Sequence, residues 1–302
     1  MALMLALGAG LTFGVADFTG GLAAKRASAT AVTFVSQAIG LAVLLPLMGV
    51  LPGVPSVDAF VSGGLAGIAG ALGVAAYLRA LALGPMGVVA PLASVVGVMV
   101  PVVVGVVAGE RPSVLAALGI AVGLVAITVV AGGGRPSGEH GGAMPGTADQ
   151  VGGQRPMRAR LNDLVGGQRR GPLLALAGGA AFGIFFVLLD LTPTGSGLWP
   201  LVGARIASLA LMGSAVAVAG RTLPARDALP MVAASGALDM LANILFLLAT
   251  RAGLLTISAL LASLYPVVVV VLARQLLSER LRRPQVAAVV LALLAVGVIT
   301  VG

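Results

Sequence analysis

Of 302 residues, 59% are hydrophobic and 9% charged, and the formal net charge is +8. A soluble domain carries roughly 45–50% apolar and about 25% charged residues, so this chain cannot clothe a water-facing surface and reads as a polytopic membrane protein. The basic residues fall almost entirely in connections, where membrane topology explains them better than nucleic acid does; with no cysteine there is no disulfide, thiolate nucleophile or cysteine metal site.

A hydrocarbon core about 30 Å thick takes about 20 mainly apolar residues per helix. Ten such runs follow one another, at roughly 3–23, 30–51, 59–80, 86–108, 113–132, 172–192, 198–219, 228–249, 254–275 and 284–302. Their length and the absence of period-two alternation predict helices, not barrel strands. The first run starts apolar at Ala2 with no basic stretch before it, and reads as a permanent span, not a cleavable signal. Residues 133–170 are rich in Gly, Arg and Pro and carry no apolar stripe, so they read as a flexible linker. His140, the only histidine, sits in that stretch and reads as a loop residue. Trp199, at the start of the seventh run, reads as an interfacial anchor.

The chain repeats itself. Tyr77 to Arg111 aligns with Phe246 to Arg280 at a constant offset without a gap, and 12 of the 35 positions are identical. Glu110-Arg111 and Glu279-Arg280 close an apolar run at the same place in both copies. The same offset aligns LALGAGLTFG, Leu5 to Gly14, with LALAGGAAFG, Leu174 to Gly183. An internal duplication is therefore expected: a first five-helix repeat over 1–132 and a second over 171–302. Five is odd, so the second copy inserts upside down, giving an inverted-topology repeat with its site near the midplane between the halves.

Orientation follows from Lys and Arg. With ten spans, the side holding both termini has only Arg111 and Arg251, the other side has 15 basic residues, and Arg205 lies within a span. The positive-inside rule then puts the linker in the cytoplasm and both termini outside.

Charged residues at the bilayer centre cost roughly 2.5–3.5 kcal/mol on insertion scales, so they face a cavity or a partner. Depth from the outer end of each span follows from a rise of about 1.5 Å per residue. On that rise Asp239 falls at about 15 Å, Tyr265 at about 16 Å and Ser263 at about 14 Å. Arg205 and Asn243 fall at about 10 Å, and Asp17 at about 21 Å, on the cytoplasmic side. These six are the expected lining of a central cavity. Asp239 and Asn243, at i and i+4, share a helix face. Asp239 either binds a cationic group, carries a coupling proton, or forms a structural ion pair with Arg205. A free Arg205 would favour a carboxylate or phosphate. Asp17 is either a second ionisable wall residue or a structural acceptor. Tyr265 precedes Pro266, which frees a backbone carbonyl for a cavity to satisfy. Ser263, like Ser94, reads more readily as a helix–helix contact than as a ligand. The Glu-Arg pairs read as end-caps and inter-helix ion pairs, with a gate latch as the alternative.

Two copies of five spans, each with a Glu-Arg pair just after the fourth, resemble the EamA group of the drug/metabolite transporter superfamily. Gly109-Glu110-Arg111 carries the resemblance in the first copy. Leu261-Ala262-Ser263-Leu264-Tyr265-Pro266, followed by Ser278-Glu279-Arg280, carries it in the second. The resemblance implies an inner-membrane secondary transporter of small metabolites, an exporter, working without a bound cofactor. The partners expected are a small-molecule substrate and the lipid bilayer, with no nucleic acid. A coupling proton and a homodimer remain open. A non-transporting sensor or scaffold is the alternative. An intramembrane enzyme is the more distant one, since the chain has no cysteine and no histidine within a span, and its acids lie in no catalytic motif.

Overall fold

The structure is a computed structural model. It describes residues 2–107, 157–252 and 265–278, with isolated positions between 114 and 125, at 262, and between 286 and 298. Among these residues there is no strand. The helices are α1 (Ala2–Ala24), α2 (Ala29–Leu47), α3 (Val57–Leu83), α4 (Met86–Val107), α5 (Met157–Asp190), α6 (Trp199–Val218), α7 (Leu229–Arg251) and α8 (Tyr265–Leu276), with a 3-10 turn at Thr194–Ser196. Six of them, α1, α2, α3, α5, α6 and α7, are long and apolar enough to cross a membrane, and α4 and α8 contribute shorter apolar stretches. The fifth and tenth expected spans fall largely outside the described residues. The segment 157–170, expected as linker, belongs to α5.

Local chemistry sets several boundaries. Ser28 and Ser56 cap α2 and α3, their hydroxyls accepting from the backbone N–H of Ala31 and Ala59 at 3.2 and 3.1 Å. Prolines at the first turns of α6 and α7 occupy positions where a missing N–H costs nothing. The outward face of α3 exposes Val57, Val61, Leu65, Ile68 and Leu72. Their spacing of three and four is an apolar stripe turned away from the protein interior, as lipid contact requires.

Small residues let the helices approach. α3 runs antiparallel to α5, with Gly70 against Phe185, Gly73 against Phe182 and Gly178 against Tyr77. It runs parallel to α6, with Gly63 on Pro200 and Gly67 on Ala204. α4 and α5 are also parallel, with Ala93 against Gly179 and Val100 against Gly183. α1 is antiparallel to α7, pairing Gly8 with Leu245 and Gly20 with Ser235.

Two apolar clusters close the ends of the bundle. One gathers Phe18, Leu81, Met86, Val232 and Ala273 near the connection at 25–28. The other gathers Leu44, Leu189, Leu198, Leu201 and Phe246 at the opposite end. There the α2–α3 and α5–α6 connections are tied together: Val54 N–H donates to the Gly195 carbonyl at 3.1 Å, and Trp199 Nε1 to the Gly53 carbonyl at 3.1 Å. Arg251 adds a hydrogen bond to Ser196 Oγ at 3.2 Å. Polar side chains concentrate between the two clusters.

Candidate functional site

A small pocket of about 50 Å³, partly open to its surroundings, lies between these clusters. α1 supplies Phe13, α2 supplies Gln37, and α3 supplies Gly67, Gly70, Ala71 and Val74. The rest of the lining is Phe182, Phe185 and Phe186 of α5, Leu201, Ala204, Arg205 and Ser208 of α6, and Asp239 and Asn243 of α7.

Arg205 and Asp239 are paired. Arg205 Nη2 donates to Asp239 Oδ2 at 2.6 Å, and the side chains are 7% and 23% exposed. Gly40 of α2 lies against the guanidinium, where a Cβ would stand 3.4 Å from Nε and Cζ, an ordinary contact distance. Ser208 turns away from the pocket's chemistry, donating to the Ala204 carbonyl at 2.8 Å. Asn243 sits one turn beyond Asp239, and its Nδ2 donates to the Asp239 carbonyl at 2.7 Å. That bond fixes the amide's orientation, because a carbonyl needs a donor. Asn243 Oδ1 is then left buried without a partner, and so is Gln37 Oε1. A buried acceptor in that state costs about 1–3 kcal/mol.

Asp17 and Tyr265 lie in a second polar cluster, outside the pocket lining. The partly buried Asp17 carboxyl is beside the Tyr77 hydroxyl and within electrostatic reach of Asp239. Tyr77 is fully buried and its hydroxyl meets no partner in hydrogen-bond geometry. Its ring stands edge-on to Tyr265 and Phe182, with centroids 6.4 and 5.5 Å apart. Ser94 of α4 stands beside the Tyr265 hydroxyl.

The six residues singled out from sequence are thus divided. Arg205, Asp239 and Asn243 meet in the pocket; Asp17 and Tyr265 meet beside it through Tyr77; Ser263 lies outside the described residues. The structural ion pair is present, and it does not remove Asp239 from the pocket wall. Gln37 and the phenylalanine walls were missed. The signal for Gln37 was available, as a glutamine within an apolar run of α2, one turn from Thr33. The phenylalanines gave none, since aromatic residues in a span look like lipid contacts. Among the described residues no cluster of His, Cys, Asp and Glu could hold a metal ion.

The described helices form an apolar multi-pass bundle with a pocket inside it. The chain belongs to the EamA-like transporter family, which it matches over residues 1–132 and 169–301, within the drug/metabolite transporter superfamily. A protein of known crystal structure is similar in fold, with a TM-score of 0.60 at 17% identity, covering 98% of this chain and 97% of its own. No curated protein matches the chain.

Proposed function

We propose that the chain is a secondary transporter of small metabolites, an exporter of the inner membrane, working by alternating access around the pocket. The observation that carries this is the pocket's mixed parentage: its lining comes from α1, α2 and α3 of the first half and α5, α6 and α7 of the second, with a buried ion pair inside. Relative rocking of two such halves would open the site to each face in turn.

Ten spans in two inverted repeats fit the helix directions. The short connections after α1 and α2 reverse the chain twice, so α1 and α3 run the same way. α3 is antiparallel to α5, the first helix of the proposed second copy, the direction that an inverted copy would take.

The duplication also accounts for paired contacts. Gly14 and Gly183, equivalent positions of the two copies, each meet a helix of the other half: a Cβ on Gly14 would lie 2.8 Å from the Tyr265 carbonyl oxygen, and one on Gly183 2.8 Å from that of Gly97. Gly67 and Gly236, separated by the same offset, meet the backbones of Ala204 and Ser36. Each first-half contact has a second-half counterpart within one residue, the pattern of a two-fold relation.

The test is flux of a pooled metabolite library in proteoliposomes, with and without a pH gradient, for wild type, Asp239→Asn and Asn243→Leu. A solute moved by wild type and lost in both variants supports transport through this pocket. Absence of flux from folded, inserted protein speaks against it.

A further inference from the structure

The two ends of the bundle are held differently. At one end the α2–α3 connection, of the first half, is bonded to the start of the second: Val54 N–H donates to the Gly195 carbonyl and Trp199 Nε1 to the Gly53 carbonyl, each at 3.1 Å. The approach leaves no room for side chains. A Cβ on Gly53 would overlap the Gly197 backbone nitrogen, and one on Gly197 would stand 2.8 Å from Gly53 Cα. Gly197 also holds a φ of +54°, which favours glycine. Arg251 steadies the same turn through Ser196 Oγ.

This contact continues as a seam down to the pocket. Phe60 of α3 packs on Trp199, with ring centroids 5.3 Å apart. Below it Gly203 meets Phe60, Gly63 meets Pro200 and Gly67 meets Ala204. Gly67 and Ala204 line the pocket. α3 of the first half and α6 of the second are therefore shut against each other from the connections to the pocket wall.

The duplication supplies an internal comparison. At the repeat offset, Gly53 and Val54 correspond to Thr222 and Leu223 of the α6–α7 connection, and Gly195, Gly197 and Trp199 to Arg26, Ser28 and Thr30. The seam has a counterpart in Gly236 on Ser36. The connections beyond it do not. Among the described residues no hydrogen bond joins 25–28 to 219–228, whose backbone bonds are all local. Ser28 is committed to capping α2. Val218 and Leu223 are 90% and 57% exposed, and a Cβ on Gly220 would meet nothing within 4 Å. Two glycines and a tryptophan build the contact at one end, and the residues in their places at the other end do not repeat it.

Resting on the transporter reading and going beyond it, we propose that the connections at 48–56 and 191–198 form a clasp that shuts the pocket from the outer face. Rocking that opens this face must break the Val54–Gly195 and Trp199–Gly53 bonds and part the α3–α6 seam. The inner face has no such bonds to break, so the protein rests with its outer face closed.

The natural chain has no cysteine, so a reversible lock can be placed on the clasp. Val54 is 72% exposed and a Cβ on Gly195 meets nothing within 4 Å, so Val54→Cys with Gly195→Cys adds thiols in open space. This pair is expected to oxidise faster than the equivalent pair at the other face, Leu223→Cys with Arg26→Cys. Its oxidation should abolish flux of the pooled library in proteoliposomes, and reduction should restore it. A substrate-free readout is the fluorescence of Trp199, the only tryptophan. Gly53→Ala and Gly197→Ala force the clasp apart, and each should shift the emission to longer wavelength and increase its quenching by iodide. Ser214→Ala, on an exposed face, should leave both unchanged. Faster oxidation of the inner pair, or emission and quenching like wild type in both alanine variants, would overturn the clasp. Flux that persists in the oxidised outer pair would overturn it while leaving transport standing. The expected fluorescence changes in a protein that moves no solute would support the clasp and speak against transport.

Discussion

Removing Asp239 should harm the protein more than removing its whole ion pair. At 2.6 Å and an effective dielectric of about 20, the pair attracts by about 6 kcal/mol. Desolvation of two ions costs several kcal/mol each, so the net worth of the intact pair is near zero. Asp239→Ala is different, because it strands Arg205, 7% exposed, with no counter-ion. Breaking a buried pair costs about 3–5 kcal/mol. The lower end applies, since Asp239 is 23% exposed and water can reach the vacated space. At about 2 °C per kcal/mol for a chain of this size, 3 kcal/mol is a drop of about 6 °C in melting temperature. The double variant Arg205→Met with Asp239→Leu should recover most of it and melt within about 2 °C of wild type. Fluorescence of Trp199, the only tryptophan, reports the transition in detergent. If the single variant melts with wild type, or if the double variant loses the sum of the two singles, the pair is not buried and coupled as described.

Two further outcomes follow from packing and topology. Gly67→Ala should cost about 1–3 kcal/mol of overpacking, because a Cβ there falls 2.6 Å from the Ala204 carbonyl carbon, whereas Gly64→Ala, with its nearest neighbour at 3.9 Å, should be close to neutral in the same melt. The chain is naturally free of cysteine, so single cysteines read its orientation: Val54→Cys should react with an impermeant maleimide in intact cells and Arg26→Cys only after permeabilisation, and the reverse pattern would turn the assigned topology over.

Much of the fold was legible because lipid imposes a simple rule. A span must be apolar for about 20 residues, and the runs at 3–23, 30–51, 59–80, 86–108, 172–192, 198–219 and 228–249 correspond to α1 to α7. The extension of α5 back to Met157 was not legible, since its first turns carry arginines, Asn162 and Asp163 and lack an apolar stripe. Membership of the transporter family was readable from the repeated Glu-Arg pairs and the Ala-Ser matches.

The site was legible only by depth. Charge inside a span singled out Arg205, Asp239 and Asp17, and helical spacing joined Asn243 to Asp239. Sequence left open whether Arg205 reaches Asp239, because that depends on α2 packing against both α6 and α7. It could not separate Asp17 from the pocket either: Phe13 and Asp17 share a face of α1 one turn apart, and only the packing shows that Phe13 lines the pocket while Asp17 lies beside Tyr77. What the sequence by itself determined is therefore what a one-dimensional solvent rule determines: which segments lie in lipid and at what depth each polar residue sits. Only the tertiary structure decided which of those residues face one another, because that rests on the rotation of each helix about its own axis. The rotation is set by glycines meeting backbones on neighbours distant in the chain, as Gly67 meets Ala204 and Gly14 meets Tyr265.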